Sequence, residues 1–455
     1  MKYPRMVFVG LICSGLTAVA SAAEYKEGEV IVKYKKHANR SRNVMNVLYT
    51  QTKVDKVRHF RGILSGYEQL YLEKGAKVED AIATLKANTD VEYAQPNYMI
   101  YAYPAKDLRQ KATEFVRTGV NLFEDSCTLP WLPCKPAEGK PALNDPPAEV
   151  NPPVADPEIS KAYGLTKIGA VSAWNTSTKG DKNFVVAVID TGIDYNHEDL
   201  AFNVWRNPNP KNNDITGYDF VHDDGMPFDD NEHGTHTSGT VGAVGGNGLG
   251  VSGVNQRVSI MGLKFLNKDG SGTSADAIRA IDYAIEHGAK VLSNSWGGHG
   301  DDGQNQALYD AIERAKAKDV LFIAAAGNES VDNDGNDPAF PASFNNDNLI
   351  AVAATDKNDT MASFSNWGKK SVHLAAPGVG VYSTVPGNQY ASFSGTSMAC
   401  PHVAGAAALL WSKNPSWNYK KVKEVLMSTV DAVQELSDKT VTGGRLNIAK
   451  ALATN

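Results

Sequence analysis

From Phe184 to Gly378 the chain repeats one pattern. Short apolar runs alternate with amphipathic helical ones: "FVVAVID" (184–190), "VSIMGLKFL" (258–266), "SADAIRAIDYAIEHG" (274–288), "KVLSNSW" (290–296), "QNQALYDAIERAKAKD" (304–319), "VLFIAAAGN" (320–328), "NLIAVAATD" (348–356) and "SVHLAAPG" (371–378). The runs are apolar on both pleat faces and rich in β-branched residues, as strands are when helices cover a parallel sheet on both sides. The pattern predicts an α/β unit with a mostly parallel β-sheet sandwiched by helices. In such sheets ligands bind beyond the carboxyl ends of the strands. Polar residues that close a strand are therefore the first place to look for chemistry.

With 455 residues the chain has room for two folded units and connectors. A net charge of −6 without a large basic run argues against a nucleic-acid partner. Residues 1–22 read as a signal peptide, with Lys2 and Arg5 before the apolar run Met6–Ala20 and a cleavage site after Ala22. Residues 23–103 alternate strand and helix signals ("EVIVKYK", "SRNVMNVLYTQ", "GYEQLYLE", "KVEDAIATLKANT", "VEYAQPNYMIYA"), which predicts a small α+β domain. Residues 104–157 are crowded with proline, as in "LPWLPCKPAEGKPALNDPPAEVNPPVADP", and read as an extended linker. The α/β unit occupies 158–455. Cys127 and Cys134 could close a small loop in an oxidising compartment, which leaves Cys400 as a free thiol.

Three polar residues stand at Gly-rich turns of the α/β unit. Asp190 ends "FVVAVID", His233 lies in "NEHGTHTSGT", and Ser397 lies in "GTSMACPHVAG". Singly, each has an ordinary explanation: a helix cap, a loop or core histidine, an N-cap serine. Together they supply what acyl transfer needs. A serine hydroxyl is a weak nucleophile until a base takes its proton, and histidine does this near neutral pH. A carboxylate behind the histidine fixes its tautomer and stabilises the imidazolium. Asn328, closing "VLFIAAAGN", and the backbone N–H of Ser397 at a helix start are candidate donors to an oxyanion. "VAGAAALL" after Ser397 is small and apolar all round, which predicts a helix buried through the core, with Pro401 in its first turn. His402 reads as a core histidine and Cys400 as a packing residue.

"VAVIDTGID", "HGTHTSGTVGA", "AAAGN" and "SFSGTSMACPHVAG", in that order, resemble the signature blocks of subtilisin-like serine proteases. The resemblance covers the chain from about Ser160 to "GGRLNIAKAL" near its end. It implies a serine endopeptidase in which Asp190 orients His233, His233 is the general base and acid, Ser397 is the nucleophile and Asn328 holds the oxyanion. It implies that Ser295, Trp296 and Gly297 of "LSNSWGG" and Ala325, Ala326 and Gly327 form opposite walls of the S1 pocket, with Ala339 at its floor. Gly270, Ser271 and Gly272 of "DGSG" become an edge that pairs with the substrate backbone. Such a pocket accepts large apolar P1 side chains, with Glu329 at its mouth. The resemblance also implies structural Ca2+, held by Asp199, the Asn247 side chain and carbonyls of Val244, Leu249 and Val251, with Asp156 as a further ligand. The 23–103 domain resembles the family's inhibitory propeptide, so the expected partners are polypeptide substrates and the chain's own propeptide. The expectation is a secreted, monomeric, self-processing zymogen cut near Tyr103 or further along the linker. A binding protein on an inactive protease fold is disfavoured because all three triad residues and Asn328 are present. An esterase is disfavoured by the strand-like substrate edges.

Overall fold

The computed structural model describes residues 23–103 apart from 61, 63 and 64, residues 140–299, and residues 305–454. The signal-peptide reading and the Cys127–Cys134 reading fall outside the described residues. Strands β1 (Tyr25–Tyr34), β2 (Val54–His59), β3 (Tyr67–Leu72) and β4 (Val91–Ala102) form an antiparallel sheet, with helices Arg42–Thr52 and Val78–Lys86 against one face. Strand alternation decides which residues face which neighbour. Val30 and Val32 pack with Leu48, Ala81 and Leu85 of the two helices. Ile31, between them in sequence, belongs to a core shared with Leu263, Phe265 and Ile278 of the large unit. The small domain thus folds with one sheet face committed to its neighbour.

The large unit is built on strands β5 (Gly180–Asp190), β6 (Gly217–Asp219), β7 (Arg257–Lys264), β8 (Ser271–Thr273), β9 (Val291–Asn294), β10 (Trp296–His299), β11 (Leu321–Ala325), β12 (Ala339–Phe340), β13 (Leu349–Thr355), β14 (Leu374–Pro377), β15 (Val381–Val385), β16 (Gln389–Phe393), β17 (Asp431–Ala432) and β18 (Gly444–Arg445). Nine of these form one sheet in the order β17-β18-β14-β13-β11-β9-β5-β7-β6, parallel except for the β17–β18 pair. The apolar runs of the sequence are its central strands, buried on both faces as their composition requires.

The helix Thr396–Lys413 runs through the core, and its residues from Thr396 to Trp411 are all buried. Its alanines let it lie close against β5, β9, β11 and β13. Pro401 is its sixth residue rather than a first-turn residue. Lacking an N–H, it cannot bond the Ser397 carbonyl four residues earlier. The Ser295 hydroxyl donates to that carbonyl instead, at 2.9 Å. The proline therefore frees an acceptor that ties the helix start to the segment between β9 and β10. Among the described residues no helix is long and apolar enough to cross a membrane.

The proline-rich segment from Lys140 onward lies against the large unit. Leu143 packs on its core, the Tyr195 hydroxyl donates to the Pro141 carbonyl (2.7 Å), and Arg257 pairs with Glu149 (2.8 Å). The Lys140 ammonium lies 2.7 Å from Asp219 Oδ2 and 2.7 Å from both Asp224 oxygens. It pairs with the two ends of the acidic turn 219–224, whose Asp223 is held by Arg58 and Arg279.

Candidate active site

Asp190 closes β5 and is completely buried. Its Oδ1 accepts from the Thr191 N–H (2.7 Å) and lies 2.7 Å from His233 Nδ1. His233 is the first residue of the helix His233–Gly242. That helix approaches the β5 turn closely because two residues have no side chain: a Cβ on Gly234 would lie 2.1 Å from the Gly192 carbonyl oxygen. Gly192 itself has φ +115°, a conformation open to glycine. Asp229 fastens the same turn. Its Oδ1 accepts from the Thr191 hydroxyl (2.8 Å), and its Oδ2 accepts from the Thr235 N–H and hydroxyl. Burial works against an imidazolium at His233, but the Asp190 carboxylate, with Asp229 adding to it, raises the histidine above its ordinary pKa.

Ser397 sits in the first turn of the core helix, where N–H groups have no intrahelical acceptor. Its hydroxyl donates to the Ser295 carbonyl (3.0 Å) and the Tyr103 carbonyl (3.3 Å). His233 Nε2 is buried and has no hydrogen-bond partner among the described residues. Asn328 follows β11. Its Oδ1 accepts from the Thr396 N–H and hydroxyl (2.9 Å each), and its Nδ2 lies beside Gly395. The amide is thus held with its donor end toward the serine turn. Cys400 is buried, with its thiol pushed up to about 11 by burial, and is inert as a nucleophile. His402 Nδ1–H donates to the Met398 carbonyl (2.8 Å) inside the helix, with its pKa pushed down to about 4 by burial.

The cleft is filled by the end of the small domain. Strand β4 runs between β8 and β10, pairing Met99 with Thr273, Ile100 with Gly272 and Tyr101 with Ser271 on one side. On the other side it pairs Tyr101 with Gly297 and Ala102 with Trp296. The Ala102 N–H donates to the Gly270 carbonyl (2.8 Å). Tyr103 follows with its ring buried; a Cβ on Gly297 would lie 1.8 Å from its phenol oxygen. Ala325, Ala326 and Ala339 are buried around this region. The Gly327 N–H is held by the Thr396 hydroxyl (3.1 Å). Trp296 contributes main chain to the cleft. Its indole points into the core between Phe265 and Phe322 and donates to the Ile189 carbonyl (2.8 Å).

The Asp199 loop is a separate cluster. Asp199 accepts from Asn247 Nδ2 (2.8 Å), the Val251 N–H (2.9 Å) and the Tyr390 hydroxyl (3.2 Å). Asp156 accepts from the Gly246 and Asn247 N–H groups. The Val244 N–H donates to the Asp199 carbonyl, and Leu249, partly exposed, donates its N–H to Asn247 Oδ1. Burial, with a contribution from Asp156, pushes Asp199 up to about 7. Among the described residues no group of three or more His, Cys, Asp or Glu side chains is arranged around a metal position.

Several of the contacts made here gave no sequence signal. Thr396 and Ser295 are polar residues in polar turns, and their roles depend on partners far along the chain. Tyr103 lies at the edge of the α+β domain and becomes part of the site only because β4 enters the cleft. His299, Glu329 and Asp337 meet at the pocket from three different segments.

A family model described as "Subtilase family" matches residues 181–444, and one described as "Fervidolysin N-terminal prodomain" matches residues 14–97. The chain is 40% identical over 294 residues to thermitase from Thermoactinomyces vulgaris, covering 64% of this chain and 96% of that protein. It is 34% identical over 410 residues to the thermophilic serine proteinase of Bacillus sp. strain AK1, covering 90% of this chain and 83% of that protein. It is 40% identical over 267 residues to subtilisin DY of Bacillus licheniformis, covering 59% of this chain and 90% of that protein. With an Asp–His pair and a helix-borne serine at the ends of a parallel sheet, and a prodomain ahead of them, the chain belongs to the subtilase family of serine endopeptidases.

Proposed function

We propose that this protein is a secreted, self-processing zymogen that cleaves polypeptides after large apolar side chains. The observation that carries this reading is the Tyr103 carbonyl oxygen, 3.3 Å from Ser397 Oγ at the end of a strand paired on both edges. A peptide substrate would lie as β4 does, with its P1 side chain where the Tyr103 ring lies.

For reaction the Ser397 hydroxyl turns from the two carbonyls toward His233 Nε2, whose lone pair is free. Ser397 Oγ attacks the scissile carbonyl as His233 takes its proton, and Asp190 stabilises the imidazolium through Nδ1. The oxyanion is met by Asn328 Nδ2 and the Ser397 N–H, which are fixed before charge develops. His233 then delivers the proton to the leaving amine nitrogen as the C–N bond breaks. Water, activated by the same histidine, hydrolyses the acyl-enzyme and restores Ser397.

The maturation cut lies near Tyr103 or further along the linker. The small domain then remains in the cleft as an inhibitor. Ser397→Ala should abolish peptide hydrolysis and leave the precursor from Ala23 onward uncut. Normal maturation of that purified variant would remove the self-processing claim. A peptide-library digest tests P1. Cleavage confined to Lys and Arg, or to Ala and Gly, would refute the apolar preference.

Calcium fits the Asp199 cluster chemically. The buried carboxylates of Asp199 and Asp156 raise each other's charge cost and the Asn247 amide bonds to Asp199; with carbonyls of the 244–251 loop they would supply the hard oxygen set that Ca2+ takes. Asp199, Asp156, Asn247 and the carbonyls of Val244, Leu249 and Val251 would hold it, and its role would be structural. We read the protein as a monomer.

A further inference from the structure

The pocket that takes the Tyr103 ring has a charged group behind one wall. A Cβ on Gly327 would lie 2.7 Å from Glu329 Oε2. The same oxygen accepts from the Asn328 N–H (2.8 Å) and from Asn366 Nδ2 (2.9 Å), so the carboxylate is fixed in place. It is close enough to the buried phenol of Tyr103 to act on it electrostatically. Nothing in the cleavage chemistry uses this carboxylate. It is also shared: His299, at the end of β10, places Nε2 3.7 Å from Glu329 Oε2 and Nδ1 3.3 Å from Asp337 Oδ1. Among the described residues, Glu329, Asp337 and, in the zymogen, the Tyr103 phenol are the titratable groups that face this imidazole and carboxylate.

We propose that His299 is a specificity-determining residue that controls, by its own charge, how much of the Glu329 carboxylate a P1 side chain meets. The inference rests on the proposed P1 reading of the pocket. With His299 protonated, Glu329 is compensated and the pocket favours neutral aromatic and aliphatic side chains. With His299 neutral, Glu329 presents an unshared negative charge near the pocket, and a P1 lysine or arginine gains attraction. The Glu329 carboxylate, with Asp337 on the other side of the ring, raises the histidine above its ordinary pKa while burial opposes it, so the change falls above the ordinary imidazole range.

The test compares two fluorogenic peptides that differ only in P1, Tyr against Lys, with the mature enzyme from pH 5.5 to 9. The ratio of their kcat/KM values cancels the titration of His233, which both substrates share. A P1 lysine stays charged throughout. In the wild type the Lys/Tyr ratio should rise with pH by about three- to tenfold, the size of a partly screened charge contact. His299→Gln should hold the ratio flat at its high-pH value. Glu329→Gln should hold it flat at its low value. Asp337→Asn should move the wild-type midpoint to lower pH. A ratio that does not change with pH in the wild type, or changes equally in His299→Gln, would overturn the proposal. Failure to cleave after Tyr at any pH would instead sink the reading of the pocket on which it rests.

Discussion

Replacing Tyr103 separates the two contributions its side chain makes to inhibition, because Ala and Phe should act in opposite directions. The ring is only 5% exposed, so Tyr103→Ala removes a nearly complete aromatic burial. Aromatic-to-alanine changes at buried sites cost about 3–5 kcal/mol. The phenol oxygen, however, is buried with no hydrogen-bond partner among the described residues. Such a group is itself unfavourable by about 1 kcal/mol or more. The net loss for alanine is then about 2–4 kcal/mol, or roughly 30- to 700-fold in the inhibition constant at 1.4 kcal/mol per decade. Tyr103→Phe keeps the ring and removes the orphaned hydroxyl, so it should tighten inhibition about fivefold. The assay is inhibition of the mature protease by residues 23–103 supplied as a separate chain, read with a fluorogenic peptide substrate. Tyr103 lies beyond the small domain's own core, so circular dichroism of the three fragments should match. A Phe variant that binds more weakly than wild type would show that the hydroxyl has a partner. An Ala variant within about threefold of wild type would show that strand pairing, not the pocket, carries the affinity.

Asn328→Ala should lower turnover by about 10²–10³-fold with little change in KM, measured on a peptide substrate, because the donor acts on charge that develops in the transition state. In the uncut Ser397→Ala protein, Lys140→Met should lower stability by about 1–3 kcal/mol in urea unfolding, since it strips a cation from the fully buried Asp219; an unchanged midpoint would mean that the His222 side chain and the backbone donors to Asp219 suffice. His236 and His373, pushed down to about 3, and His402, pushed down to about 4, are all lowered chiefly by burial. Their stability contribution is complete above the unfolded value near 6.5 and is lost as pH falls toward 3–4, so unfolding of the Ser397→Ala protein should become easier by about 1–2 kcal/mol per histidine between pH 7 and 5; His233, raised instead, works in the opposite sense, and a flat profile would refute the account.

The parallel sheet and the meeting of Asp190 with His233 beyond it were legible in the sequence for a physical reason. Strands buried on both faces have few alternatives to continuous apolar runs, and Asp190, His233 and Ser397 each stand within two residues of a glycine, Gly192, Gly234 and Gly395, that marks a close approach. The approach of Gly234 to the Gly192 carbonyl is the reason those glycines cannot be replaced. What was not legible depends on contacts between distant segments. Pro401 reads naturally as a first-turn proline, but the helix starts early enough to place it where it frees the Ser397 carbonyl for Ser295. Trp296 reads as a pocket wall, but an aromatic on a short strand can face either way, and core packing with Phe265 and Phe322 decides it. Lys140 sits in a proline-rich stretch whose composition carries no sign of the Asp219 and Asp224 carboxylates that receive it.

Occupation of the cleft and folding of the small domain are coupled through one strand. Residues 91–98 of β4 pair with β1 inside the small domain, while residues 99–102 pair with β8 and β10 in the cleft. Asn97 stands at the change-over. Its Oδ1 accepts from the Ala275 N–H and the Ser274 hydroxyl at the start of the helix Ser274–Glu286, satisfying donors a helix start leaves free. Farther from the cleft, the Lys33 ammonium and the Tyr67 and Tyr93 hydroxyls converge on Asp310. The cleft segment alone is short and would pay the full entropy of ordering when it binds. Joined to a strand already fixed by β1 and docked at Asn97 and Asp310, it is presented with most of that entropy already lost. Unfolding or nicking the small domain anywhere in β1 or β4 therefore weakens the cleft contacts too, without touching Tyr103. Release of the active site should follow the stability of the small domain, and substitutions at Val30 or Leu85, in its own core, should speed activation as much as substitutions in the cleft strand.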